Sequence, residues 1–156
     1  MLSIIGCGNP NRKDDGVGVY VAQALLAWQN EQKIPGIAIY DAGTNGMDVM
    51  FKARGSDTLV IIDANLSRSE PGTVFTVPGD VLANMPEPRY NLHDFRWDNA
   101  LYAGKKIYRD EFPANITVFL IEAESVDLGI GLSIPVKTAA GKVIENIKDS
   151  ILDYAK

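Results

Sequence analysis

Cys7 is the only cysteine and His93 the only histidine among the 156 residues. A single thiol excludes an internal disulfide and a cysteine-rich metal site, and it fits a reducing compartment. No Lys/Arg cluster is longer than Lys105-Lys106, and the formal net charge is -5. That balance argues against nucleic acid or an anionic membrane as partner. No apolar run approaches the ~20 residues needed to span a bilayer. The apolar start, residues 2–6, is too short for a signal peptide and lacks a basic leader, so a cytoplasmic location is expected. No internal repeat, low-complexity tract or linker breaks the chain, so residues 1–156 are expected to form one domain. The sequence also has no Gly-x-Ser-x-Gly elbow and no His-Glu-x-x-His helix, which removes the commonest serine hydrolase and zincin signatures.

Hydrophobic residues make up 46% and charged residues 22%, the balance of a globular chain rather than a disordered one. A chain of this length buries roughly two thirds of its unfolded surface and needs no disulfide or structural metal. Short apolar runs alternate with longer helical periodicities. Strands are predicted over 2–6, 37–41, 58–63, 73–77 and 116–121. The unbroken run Thr58-Leu59-Val60-Ile61-Ile62-Asp63 reads as a strand buried on both faces, as in a parallel sheet. The strand at 73–77, behind Pro71-Gly72, reads as an edge.

Helices are predicted over 16–28, 47–53, 93–104 and 135–154. Val17, Val21, Leu25 and Trp28 form the stripe of the first, with Asp14 or Asp15 placed to cap it. Val136, Ala140, Val143, Ile147 and Ile151 form the stripe of the last, with Ser133 as its cap. The alternation predicts an α/β three-layer sandwich: a mostly parallel, five-stranded twisted sheet with helices on both faces. Ligands in such folds bind beyond the carboxyl ends of the strands, near the switch point.

At that edge the Gly6-Cys7-Gly8-Asn9-Pro10-Asn11 turn invites comparison with a dinucleotide fingerprint. Asn11 stands where the third glycine belongs, however, and the carboxylates of Asp14 and Asp15 would repel a pyrophosphate from the helix start. The same acidic turn suits a cation. Asp63 ends the third strand at the same edge, and first and third strands in this topology are commonly neighbours about 4.8 Å apart. His93, in the connection after the fourth strand, is the imidazole that can close over them. A carboxylate of this turn (Asp14 or Asp15), Asp63 and His93 thus form a candidate O/N site for a divalent ion such as nickel or zinc, with open coordination positions. Each also has a plainer reading: Asp15 as a helix cap, Asp63 as acceptor for turn amides, His93 as a surface or capping residue. Asp41 faces the same edge and reads first as a turn residue. Cys7 reads as buried filler before it reads as a nucleophile with His93 as its base.

The run Gly6-Cys7-Gly8-Asn9-Pro10-Asn11-Arg12-Lys13-Asp14-Asp15-Gly16-Val17-Gly18 resembles the opening signature of the NiFe-hydrogenase maturation endopeptidases. Asn11 stands where that family usually has leucine. Asp41-Ala42-Gly43-Thr44-Asn45-Gly46 resembles the family's Gly-Thr-x-Gly loop, and Ile61-Ile62-Asp63-Ala64 its strand-end aspartate. His93 falls in the expected region, and Gly131-Leu132-Ser133 resembles the family's approach to the last helix.

The resemblance implies an endopeptidase that releases the C-terminal extension of a NiFe-hydrogenase large-subunit precursor once nickel is in place. It implies that Asp15, Asp63 and His93 contact nickel supplied by that precursor rather than a resident ion. A monomer is expected, with the precursor as partner. Two other classes stay open at this level: a module that binds metal or the large subunit without cutting, and a metal-dependent peptidase or amidase with other substrates.

Overall fold

The computed structural model describes residues 1–78 and 97–156. Its sheet has five strands in the order β2-β1-β3-β5-β4: β1 (Leu2–Cys7), β2 (Ile37–Gly43), β3 (Thr58–Asn65), β4 (Val74–Pro78) and β5 (Asn115–Glu122). β1, β2, β3 and β5 are parallel, and β4 pairs antiparallel with β5. β4 closes one edge of the sheet and ends in Pro78, a position where a residue without an N–H costs no ladder bond.

Every residue of β1 is buried, because the strand feeds two cores at once. Ile4, Val60, Ile62, Phe119 and Ile121 face one core, with α1 (Val17–Gln32) and α4 (Ile134–Tyr154). Ile5, Ile61, Ile116 and Val118 face the other, with α2 (Gly46–Ala53) and α3 (Trp97–Tyr108). The period-two alternation of a strand divides an unbroken aliphatic run between the two faces. Ile4, Ile5, Ile61 and Ile62 are wholly inaccessible, and burial of each side chain contributes about 2 kcal/mol. This is the three-layer α/β sandwich expected from the sequence.

Several local readings differ, and α1 runs four residues past its predicted end at Trp28. No aspartate caps α1: a 3-10 turn over Lys13–Gly16 precedes it, and the N-cap residue is Gly16, without a side-chain cap bond. α3 runs four residues past Gly104, while its predicted start at His93 lies outside the described residues. Ser133 holds the N-cap position of α4, but its hydroxyl donates 2.8 Å to Asp14 Oδ2 instead of receiving a helix amide. The fourth strand begins one residue later than expected, at Val74.

Candidate active site

β1 sits between β2 and β3, so the connections after β1 and β3 leave the sheet near the point where strand order reverses. In a doubly wound sheet that reversal opens a crevice at the carboxyl ends. A cleft of ≈ 420 Å³ lies there, lined among others by Gly8, Asp15, Thr44, Asp63, Asn65 and Trp97.

The close fit at its floor explains the glycines of the first turn. Gly8 has φ +134°, and a Cβ there would lie 1.9 Å from the Asp15 carbonyl oxygen and 3.7 Å from Asp63 Oδ1. A Cβ on Gly18 would meet the carbonyl oxygens of Cys7 at 2.2 Å and Ile62 at 2.3 Å, so the start of α1 rests directly on the ends of β1 and β3. Backbone atoms cannot yield to such contacts, which is why glycine stands at both positions.

Asp15 is part-buried, and its Oδ2 accepts a 3.0 Å bond from the Asn9 backbone N–H, closing the turn behind it. Asp63 is 6% exposed, and its Oδ1 accepts from the Ala64 N–H at 2.8 Å. Each bond uses one carboxylate oxygen of its aspartate. The two acidic side chains line one cavity, one from the turn before α1 and one from the end of β3, a setting that favours a cation and disfavours phosphate. Among the described residues no group of three His, Cys, Asp or Glu could hold a metal ion. His93, the third member of the predicted set, lies outside the described residues. Residues 43–46 also line the cleft, and there Asn45 Oδ1 caps α2 by accepting from the Asp48 N–H at 3.2 Å. Cys7 lines the cleft too, but is 8% exposed and belongs to the core packed with Val49 and Met50. Asp41 is exposed and accepts from the Gly43 N–H, as a turn residue does.

Two buried carboxylates of the site region escape a reading by motif alone. Asp14, 1% exposed, accepts from the backbone N–H groups of Glu124, Ser125 and Ser133 and from the Ser133 hydroxyl. It ties the first turn to the 124–133 loop. Glu122, wholly buried at the end of β5, accepts from Asn65 Nδ2 (3.0 Å), Ser67 N–H (2.9 Å) and Ser67 Oγ (2.6 Å). Asn65 and Leu66 line the cleft, so Glu122 fixes one of its walls from below. The signal was available: Glu122 follows the apolar run 116–121 just as Asp63 follows its own run.

Burial pushes the Glu122 carboxyl up, but the hydrogen bonds from Ser67, Asn65 and the Arg68 amide outweigh it and hold the value below the ordinary 4.5. A depressed folded value contributes stability that is fully present above about pH 4.5 and lost as pH falls through the folded value. Glu122→Gln should therefore cost about 2 kcal/mol at neutral pH. Its urea stability should also fall less steeply than that of the native protein below pH 4.5. Parallel stability–pH curves for the two proteins would contradict this.

The fold places a carboxylate-lined cleft at the switch point of the sheet, where α/β enzymes bind their ligands. The chain belongs to the hydrogenase maturation protease family, whose profile matches residues 19–150. It is 26% identical over 148 residues to the hydrogenase 2 maturation protease of Escherichia coli, covering 94% of this chain and 87% of that one. It is 28% identical over 159 residues to the coenzyme F420 hydrogenase subunit delta of Methanothermobacter thermautotrophicus, covering 96% and 94%. The hydrogenase maturating endopeptidase HybD from E. coli superposes with a TM-score of 0.77 at 25% identity, over 98% of this chain and 93% of that chain. The HybD maturation protease of Thermococcus kodakarensis gives 0.76 at 25%, over 96% and 98%. Among the described residues no helix is long and apolar enough to cross a membrane.

Proposed function

We propose that this endopeptidase removes the C-terminal extension of a NiFe-hydrogenase large-subunit precursor after nickel insertion, acting in the cytoplasm as a monomer. Asp15, Asp63 and His93 engage the nickel carried by the precursor. The observation that carries the reading is the placement of Asp15 and Asp63 in one cleft, from a turn and a strand end 48 residues apart in sequence (63 − 15).

The metal contact positions the scissile peptide and reports maturity, since an unloaded precursor offers no ion to the carboxylates. Hydrolysis adds water across the C–N bond, its oxygen to the carbonyl carbon and a proton to the leaving amine. The cleft carboxylates are acceptors for the proton that the attacking water gives up. The cleft wall at residues 43–46 lies where the precursor would dock.

Incubation with the large-subunit precursor, with and without nickel, tests this by mass spectrometry of the products. The nickel-loaded precursor should lose its tail as a free peptide and the nickel-free one should stay intact. His93→Ala should abolish the cut with the melting temperature unchanged. Equal cleavage without nickel, or normal trimming by His93→Ala, would overturn the metal assignment. Hydrolysis of unrelated small peptides by a tightly metal-loaded enzyme would instead indicate a general metallopeptidase.

A further inference from the structure

The first turn has two working sides. Gly8 and Asp15 line the cleft, whereas Pro10, Lys13 and Gly16 line a second groove of ≈ 380 Å³ together with Tyr20, Ile130 and Lys137. The 124–133 loop spans both in the same way, with Val126 on the cleft and Ile130 on the groove. Three large aliphatic side chains in and beside this loop stand in water: Leu128 is 81%, Ile130 89% and Ile134 83% exposed. Ile130 lines the groove itself, with Leu128 and Ile134 exposed close by in the chain, so apolar surface stands open where a partner can cover it.

The loop is not left free to bury them. Arg12 Nε donates to the Val126 carbonyl at 2.9 Å, and Gly129 N–H to the Asn11 carbonyl at 2.9 Å. Lys13 N–H donates to the Gly129 carbonyl at 2.9 Å, and Asp14 holds both ends of the loop through Glu124, Ser125 and Ser133. An apolar surface fixed in advance in this way loses little entropy when a partner covers it.

Charge narrows the partner. Lys13 and Lys137 flank the groove in a chain of net charge -5, and neither takes part in a salt bridge among the described residues. The Lys13 stem lies across Gly129, where a Cβ would come within 3.0 Å of its Cε. We propose that this groove is a second docking surface for the precursor, receiving a segment of apolar side chains that carries a carboxylate, on the far side of the turn from the cut bond. The proposal rests on the precursor-processing reading above and adds where the substrate is held away from the chemistry.

Steady-state processing of the nickel-loaded large-subunit precursor tests it. Ile130→Asp should raise KM by about tenfold with kcat unchanged, the signature of lost binding that is uniform along the reaction. Lys13→Glu combined with Lys137→Glu should raise KM similarly and remove the rise of KM with added NaCl shown by the native enzyme. Because Ile130 is almost fully exposed, its variants should keep the native melting temperature, and Ile130→Val should restore KM.

An unchanged KM in Ile130→Asp overturns the groove, and an unchanged salt response in the lysine variant overturns its acidic occupant. If sedimentation shows a native dimer that Ile130→Asp dissociates while KM is unaffected, the surface belongs to a second copy and the proposal fails. If the native enzyme leaves the precursor uncut, the failure lies instead with the processing reading.

Discussion

Replacing Asp63 with asparagine is expected to lower kcat for precursor processing by at least about a hundredfold, some 2.7 kcal/mol of transition-state stabilisation. The substitution keeps the shape and the Oδ1 acceptor that receives the Ala64 N–H, so the end of β3 should hold its course. It removes the negative charge from a group that is 6% exposed and lines the cleft. A neutral amide neither attracts a cation as a carboxylate does nor accepts a proton at neutral pH. Asp15→Asn should act in the same direction with the turn kept, since the amide oxygen placed where Oδ2 lies can still accept the Asn9 N–H. The measurement is single-turnover release of the tail peptide, read beside the melting temperature. Activity within about threefold of native, with an unchanged melting temperature, would remove Asp63 from the proposed chemistry.

Asp14→Ala is expected to give the largest loss of stability, about 3 kcal/mol. The carboxylate is 1% exposed and satisfies three backbone amides and one hydroxyl, all from the 124–133 loop. Truncation leaves those donors unpaired in a place where water can replace the carboxylate only in part. For a chain of this size the melting temperature should fall by about 6–12 °C. Urea unfolding with an unchanged slope and a lower midpoint is the expected record. A loss below about 1 kcal/mol would mean that the loop is held by the Asn11–Gly129–Lys13 backbone pairing alone. Asp14 and Asp15 thus divide two tasks between adjacent positions: Asp14 turns inward and anchors, and Asp15 lines the cleft.

The resemblance pointed to Asp15 as the site carboxylate, but nothing in the chain marked Asp14 as an anchor. Both residues read equally as caps for the first helix, and neither is one, because the 3-10 turn puts Gly16 at the cap. The partners of Asp14 lie more than a hundred residues away (124 − 14 = 110), and no local pattern encodes a contact of that range. Ser133 shows the same limit. Its position before the last helix was readable, but the destination of its hydroxyl depended on where Asp14 was carried.

The elements themselves were well marked. The unbroken aliphatic run at residues 59–62 specifies a strand buried on both faces, and the 3.6-residue stripes of the first and last helices specify what covers one of those faces. Periodicity is a local property, so it survives in a list of residues. The glycines of the first turn and the aspartate ending the third run could likewise be placed at one edge of the sheet, since the carboxyl ends of parallel strands share an edge.

The sequence alone therefore determined a three-layer α/β sandwich with acidic residues at its carboxyl rim. Tertiary structure decided that Asp15 and Asp63 share one cleft, that Glu122 and Asp14 fix its surrounding loops, and that Leu128, Ile130 and Ile134 stay in water. The reason is physical: secondary structure follows from neighbours in the chain, whereas the burial and pairing of a charge follow from whatever the folded chain brings beside it.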